Sequence, residues 1–172
     1  MSVPPWLSDD VFPIPENVEV GPGSQVYSSW AFAHYRSRRP CGLRMGRQSA
    51  LWSATMLDLG ADGELEVGDY TTLLDVTVAT NGRVEVGDYS MIGHRVVIAG
   101  GPAPVPPDVD ADAALPSEPI VIGSGVWITA GAVILPGARI GDDAVVGAGT
   151  VVDGPVPPRA TAFGSPYRVV SR

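Results

Sequence analysis

Little in this chain can do chemistry. Its 172 residues include one cysteine, Cys41, and two histidines, His34 and His94. A single thiol excludes an internal disulfide framework and fits a reducing compartment, so a cytoplasmic location is expected. The opening MSVPPWLSDDVF has no basic stretch followed by an apolar one, as a secretory leader would have. No apolar run approaches the ~18 residues that span a bilayer, so no membrane partner is expected. Positive charge is short too. Eleven Lys plus Arg against 19 Asp plus Glu give a net charge of −8, which argues against a nucleic-acid partner. It does not argue against an anionic small molecule, because a local basic cluster can override the total.

What the chain has in abundance is Gly (21) and Pro (17), together with 45% hydrophobic residues, so it is not a disordered chain. In the C-terminal third Ile122, Ile128, Ile134, Ile140 and Val146 fall six apart, and Val152 continues the series. Four residues after each of the first five stands a small or branched residue: Val126, Ala132, Ala138, Ala144 and Thr150. A period of six fits neither a lone helix nor a half-buried strand. It fits one edge of a three-sided prism, each hexad being a short strand and a corner, with about 18 residues per coil. A coil buries little apolar area alone, so such a fold gains stability by stacking.

The pattern extends upstream through Val86, Ile92 and Ile98, through Val67, Leu73 and Ala79, through Met45, Leu51 and Leu57, and more weakly through Val20, Val26 and Phe32. The pentapeptide EVGDY recurs at Glu66–Tyr70 and Glu85–Tyr89, one coil plus one residue apart, with the extra residue at the Asn81-Gly82 turn pair. The expected fold is all-β: a parallel β-helix of about six coils over residues 18–154. Residues 1–17, rich in Pro, form an arm or cap. Residues 155–172 form a tail or short helix packing back on the prism. A Pro-rich and acidic segment, 102–119, is expected to protrude as a loop, and RSRRP at Arg36–Pro40 is a basic insertion between the first two coils.

The segment IGSGVWITAGAVILPGARIGDDAVVGAGTVVDGPVPPRATAFGSPYRVV resembles the C-terminal half of the left-handed β-helix hexapeptide-repeat acyltransferases. It is most similar to the branch containing galactoside, maltose and xenobiotic acetyltransferases. The likeness is dense over 120–170, moderate over 67–101 and thin before that. It implies a homotrimer with active sites in grooves between prisms, and acetyl- or another acyl-coenzyme A as co-substrate, its arm lying along a coil edge. It implies that a groove histidine takes a proton from the hydroxyl or amine of a small acceptor such as a sugar, with no metal. Carried over by motif, Trp127 matches the family tryptophan of VWIG. Thr129 and Ala130, and one coil on Gly147 and Ala148, match positions whose backbone meets the pantetheine arm. FGSPYR matches AGxPxR, which places Gly164, Ser165, Pro166 and Arg168 near the adenosine and its phosphates, Arg168 being the phosphate cation. Two departures stand out. Asp153 replaces the usual Thr or Ser, and the usual place of the base, near Ala103, holds no histidine.

Coil arithmetic offers another base. The third positions of successive second hexads are Ser53, Asp75, His94, Ala130 and Ala148. Stacked coils put these in one column, roughly 4.8 Å apart per step. His94 then follows the two pantetheine positions, and Asp75 lies one step beyond. A carboxylate beside an imidazole raises its basicity, so Asp75 and His94 read as a dyad with His94 the general base. The plainer account is a groove histidine bonded to a neighbouring subunit, which leaves a non-catalytic trimeric scaffold or small-molecule binder as the alternative function. His34 reads as packing beside Tyr35 or Trp30. Arg36, Arg38 and Arg39 read either as an anion site or as stacking on those rings. Asp108, Asp110, Asp112 and Glu118 read as acceptor contacts or a solvated face. Cys41 has no partner that would make it a nucleophile. A zinc-dependent carbonic anhydrase would need His34 and His94 in one site, and they lie about three coils, some 14 Å, apart.

Overall fold

The computed structural model describes residues 12–100 and 117–171. The hexads become short parallel strands on three faces of a prism. The first face carries Val18–Val20, Leu43–Met45, Glu64–Val67, Arg83–Val86, Ile120–Ile122, Arg139–Ile140 and Pro155–Val156. The second carries Gln25–Val26, Ala50–Leu51, Thr72–Leu73, Met91–Ile92, Trp127–Ile128, Val145–Val146 and Ala160–Phe163. The third carries Met56–Leu59, Thr77–Thr80, Val97–Gly100, Val133–Ile134 and Val151–Val152. In the first coil the third face is instead a 3-10 turn, Ser29–Phe32, capped by the Ser28 hydroxyl.

Within the prism each strand pairs in parallel with its counterpart one coil away, so the inward side chains form columns. Ile122 lies over Val86 and under Ile140, and Ile128 lies between Ile92 and Val146. The six-residue series and its small partners, from Val126 to Thr150, are all fully buried, as the period predicts. In the third coil the inward residue of the third face is Val78 rather than Ala79. Val78 pairs with Leu57 and Ile98, and Ala79 points outward. The cause is a corner one residue shorter than its neighbours.

The interior is not wholly apolar. Where the first face turns into the second, Ser24, Ser49, Thr71 and Ser90 stack. Each hydroxyl accepts the amide of the next: Ser49 N to Ser24 Oγ at 2.8 Å, Thr71 N to Ser49 Oγ at 3.0 Å and Ser90 N to Thr71 Oγ1 at 3.1 Å. The Ser49, Thr71 and Ser90 hydroxyls also donate to the carbonyls of Gly68, Gly87 and Gly123. A buried hydroxyl is tolerated only when its bonds are made. Here the hydroxyls satisfy corner amides that no carbonyl reaches.

The C-terminal end packs back on the prism as expected, but as strands. The tail is not a helix. Pro155–Val156 and Ala160–Phe163 start a seventh coil, and Arg168–Ser171 folds back antiparallel on Ala160–Phe163. At the other end Phe12 packs edge-on against Trp30 with centroids 5.1 Å apart, so residues just before the first strand do cross the first coil. Residues 1–11 of the expected arm lie outside the described residues, as do 101–116 of the expected loop. The chain leaves at Gly100 and returns at Ser117, which are neighbours: a Cβ on Gly100 would lie 3.4 Å from Ser117 Oγ. The basic insertion is a strap. Arg36 N and Arg38 N bond the carbonyls of Leu59 and Ala61, Arg36 pairs with the buried Asp58 at 3.0 Å, and Arg39 reaches Asp62 and Glu64. Arg36 and Arg39 are therefore committed within the chain and do not stack on Trp30 or Tyr35.

Thr71→Val keeps the volume and removes the acceptor of the Ser90 amide. It is expected to destabilise the fold by about 1–3 kcal/mol, read as a lower urea midpoint at unchanged slope.

Candidate functional site

The corner between the second and third faces is built from small residues in the upper coils. There Thr129-Ala130-Gly131 is stacked under Gly147-Ala148-Gly149. The stacking is backbone to backbone: Gly131 N donates to His94 O at 2.9 Å and Gly149 N to Ala130 O at 3.0 Å. His94, Ala130 and Ala148 thus share one column along an exposed edge, as the arithmetic predicts. Gly131 and Gly149 take positive φ, and a Cβ on either would meet nothing within 4 Å. Ala54, Asp75 and Arg95 occupy the same left-handed corner in earlier coils. The left-handed backbone favours glycine here, but no neighbouring atom crowds either position. The amide nitrogens of Ala130 and Ala148 make no hydrogen bond among the described residues.

Asp75 enters the column differently. Its carbonyl accepts Arg95 N at 2.8 Å, which places its backbone one coil below His94, but its own φ is +54°, the value of the following corner position. The corner Leu73-Leu74-Asp75-Val76 advances three residues between inward side chains, whereas Ile92 to Val96, Ile128 to Ala132 and Val146 to Thr150 advance four. Among the described residues no hydrogen bond or ion pair joins Asp75 to His94. The imidazole is exposed, and Asp75 is half-buried.

The upper end of the edge is closed by the tail hairpin. Gly164 N donates to Thr150 Oγ1 at 3.1 Å, and Val151 N donates to Gly164 O at 3.2 Å. This brings the turn Gly164-Ser165-Pro166 and the exposed Arg168 against the corner that carries Gly147 and Ala148. Tyr167, whose hydroxyl bonds Pro155 O, has its pKa raised by burial and then by Asp153, so the Asp153 carboxylate lies beside this turn. The Thr129 hydroxyl bonds Val146 O at 2.8 Å. Trp127 stands outward on the second face between Met91 and Val145, 52% exposed, with no aromatic partner among the described residues.

The other candidates fall away from this edge. His34 is exposed beside the 3-10 turn of the first coil, three coils from His94. Glu118 is exposed near Gly137, and Asp108, Asp110 and Asp112 lie outside the described residues. No cluster of three His, Cys, Asp or Glu among the described residues could hold a metal. Reasoning from the sequence missed the aromatic stack of Tyr27 on Trp52, 4.5 Å between centroids and 15° between planes, on the lower part of the same edge. Both occupy the first corner position after Val26 and Leu51, so a column count would have found them.

The comparisons with known proteins agree with this geometry. Residues 119–154 match the family model for the bacterial transferase hexapeptide, six repeats. That stretch of the chain therefore carries the hexapeptide repeat. The chain is 39% identical over 79 residues to the galactoside O-acetyltransferase of Lactococcus lactis subsp. lactis (strain IL1403), covering 46% of this chain and 38% of that protein. It is 36% identical over 104 residues to the galactoside O-acetyltransferase of Escherichia coli (strain K12), covering 60% of this chain and 45% of that protein. It thus spans less than half the length of these relatives. A solved galactoside acetyltransferase in complex with coenzyme A superposes with a TM-score of 0.55 at 28% identity, over 73% of this chain and 66% of that one. The prism is the left-handed β-helix of such acetyltransferases.

Burial, and after it the Glu19 carboxylate, push the Cys41 thiol above its usual pKa, while the adjacent Arg44 holds Glu19 below the usual carboxylate range. Less thiolate at pH 7.5 means slower alkylation. Iodoacetamide should modify Cys41 at least about threefold more slowly in the folded protein than in urea, read by mass spectrometry against time.

Proposed function

We propose that the chain is an acyl-coenzyme A-dependent acyltransferase that transfers an acyl group, most simply acetyl, to a hydroxyl or amine of a sugar or other small molecule. One observation carries the reading. Among the described residues the edge has unbonded amides at Ala130 and Ala148, no side chain filling the space at Gly131 and Gly149, and an imidazole next in the same column. Amides one coil apart suit the repeated carbonyls of a pantetheine arm, and the Gly164–Pro166 turn with Arg168 suits the adenosine and phosphate end. Trp127, Thr129 and Gly147 border the path. Guanidinium matches phosphate bidentately, which makes Arg168 the cation of choice there.

In this reading His94 accepts the proton of the acceptor hydroxyl or amine as that atom attacks the thioester carbonyl carbon. The carbon–sulfur bond breaks, and His94 returns the proton to the departing sulfur. Asp75, one coil below, supplies the negative field that favours the imidazolium formed on the way. The protein would act as a homotrimer in the cytoplasm. The first face carries the ladder Glu19, Arg44, Glu66, Arg83 and Glu85, whereas the second and third carry outward apolar columns, Met91–Trp127–Val145 and Val97–Val133–Val151. Apolar columns of this kind call for cover by another copy. No helix among the described residues is long and apolar enough to cross a membrane. A second reading, a trimeric binder without catalysis, is favoured by the fact that no group among the described residues is bonded to the imidazole.

Coenzyme A should raise the melting temperature in a concentration-dependent way, and Ala130→Leu should abolish that shift while leaving the unliganded melting point in place. His94→Ala should keep the shift and lower kcat by about 10²–10⁴. Asp75→Asn should lower kcat while leaving the coenzyme A shift and the melting temperature in place, whereas a merely structural role would lower the melting temperature as well. Retention of full activity in His94→Ala would exclude this base, and no shift at millimolar coenzyme A would favour the binder.

A further inference from the structure

The repeated pentapeptide EVGDY has no part in the edge that carries His94. It builds a different corner, the one between the first and second faces. Residues there run up one column as Gln48, Tyr70, Tyr89, Gly125, Asp143 and Arg159. Each amide bonds the coil below: Tyr89 N donates to Asp69 O, Gly125 N to Asp88 O and Asp143 N to Ser124 O, all at 2.8 Å. The two pentapeptides pair in register, Glu66 with Glu85 and Val67 with Val86, so their tyrosines stack. The ring centroids are 5.0 Å apart and the planes 7° apart. Near-parallel rings one coil step apart, about 4.8 Å, lie across the prism axis. The stack therefore has a lower outer face, on Tyr70, and an upper one, on Tyr89.

The chain fills the lower face itself. Arg47, one coil below Tyr70, holds its guanidinium carbon 5.6 Å from the Tyr70 ring centroid. Asp69 grips the same arginine: its Oδ1 accepts Arg47 N at 2.9 Å and its Oδ2 accepts Arg47 Nε at 2.8 Å. Aromatic face, guanidinium and carboxylate make a complete cation site.

The upper face has the same parts without the cation. Above Tyr89 the column holds Gly125, which has no side chain, and Tyr89 is 67% exposed although Tyr70 lies beneath it. Asp143, one coil above Gly125, leans down into the gap, since a Cβ on Gly125 would strike its Oδ1. Beside it Asp142 repeats the part of Asp69. Its Oδ1 accepts Ser124 N at 2.8 Å, but Ser124 stands where Arg47 stood two coils below Tyr89, and Asp142 Oδ2 has no partner among the described residues. The Asp143 carboxylate has none there either. A flat group resting on Tyr89 lies at the level of Gly125, with its edge toward Asp143. A guanidinium meets both demands, a planar face for the ring and an N–H edge for the carboxylate, whereas an ammonium offers only a point charge.

Magnitude decides what carries that guanidinium. An exposed cation–π contact plus an exposed ion pair shifts an equilibrium by at most about a hundredfold, short of the roughly thousandfold that a millimolar Kd requires. The slot is too weak for a free small molecule and suits one arginine within a wider contact. A second copy of this chain has one basic run to offer, Arg36–Pro40, and its Arg36 and Arg39 are held by Asp58, Asp62 and Glu64. Charge favours a different polypeptide. Asp88, Asp142 and Asp143 enter no ion pair among the described residues, and Arg159 is the one cation in the column above them.

We propose that the upper face of the Tyr70–Tyr89 stack, with Asp143 over it, docks an arginine side chain from a basic segment of a partner protein. The site stands on a different edge from His94 and does not rest on the acyltransferase reading.

The test titrates the full chain with acetyl-Gly-Arg-Gly-amide and with its lysine and citrulline counterparts at fixed ionic strength, following amide and tyrosine-ring signals by NMR. The arginine peptide should shift the Tyr89 ring and the Gly125 amide, and bind at least about threefold more tightly than the lysine peptide. The citrulline peptide, which keeps the shape and lacks the charge, should shift neither. Tyr89→Leu should weaken the arginine peptide about fivefold, and Asp143→Asn about threefold at an unchanged melting temperature. Both variants should sediment as the native chain does. An arginine peptide that leaves the Tyr89 and Gly125 signals in place overturns the inference, as does equal binding of the lysine or citrulline peptide. So does arginine binding indifferent to both substitutions. A Tyr89→Leu or Asp143→Asn chain that sediments as a smaller species also overturns it, because a neighbouring copy would then already fill the slot.

Discussion

Register between stacked coils is the constraint on which this molecule rests. A coil makes no hydrogen bonds to itself across a face. Apart from turn bonds at the corners, such as Thr150 N to Gly147 O, its amides and carbonyls are satisfied by the coil above and the coil below, and its inward side chains pack in columns. Ile92, Ile128 and Val146 show the result, a continuous apolar column with parallel ladders on either side. The same rule runs through the polar core, where Ser49, Thr71 and Ser90 each serve the next coil's amide. The ladder then stops, because Val126 and Ala144 occupy the corresponding place. A coil displaced by one residue would lose its ladder, its column and its hydroxyl partner together. Tolerance for insertion is therefore confined to the corners.

That confinement explains what could be read from the sequence and what could not. From Ile120 to Val152 every corner has the same length, so a period of six lands on every buried residue. Where corners vary, counting in sixes loses its footing. It puts Ala79 rather than Val78 inside, because the missing residue at Leu74-Asp75 leaves no mark in composition. It treats Asp75 as a simple column mate of His94, whereas the structure gives Asp75 the backbone of two corner positions at once. The tail was misjudged for a different reason. PVPP looks like a terminator, but Pro155 opens a strand at the end of its sheet, where its missing N–H is no loss. The strap at Arg36–Arg39 depended on carboxylates twenty or more residues away, and no local pattern announces such partners.

The site was legible in part, because a column is one-dimensional. Once the register over 120–152 is known, the row of His94, Ala130 and Ala148 follows from addition. What addition cannot supply is side-chain direction. It could not say that Tyr27 and Trp52 stack, or that no bond reaches the imidazole from Asp75. The exposed corner at Gly131 and Gly149 adds a further argument. Elsewhere corner glycines are hemmed in: a Cβ on Gly125 would strike Asp143, and one on Gly137 would strike Glu118. All four take positive φ, which favours glycine whatever the space; Gly131 and Gly149 differ only in that the space beside them is open, so the edge there is free of the chain's own side chains.

Charge is distributed to the same end. The chain contains no lysine; all eleven of its cations are arginine. Among the described residues every ion pair is made by Arg36, Arg39, Arg44, Arg47 or Arg83, all in the first four coils, where acids answer them. Arg139, Arg159 and Arg168, in the last coils and the tail, enter no such pair. An exposed pair contributes little to stability, and an unpaired guanidinium loses little by staying solvated. The asymmetry therefore has scant consequence for folding. It has more for binding, because a chain of net charge −8 repels a polyanion everywhere except where its cations are left unneutralised. Arg38 and Arg95 enter no ion pair among the described residues either, so unneutralised cations are spread along the prism, and one of them, Arg95, directly follows His94 at the cleared edge.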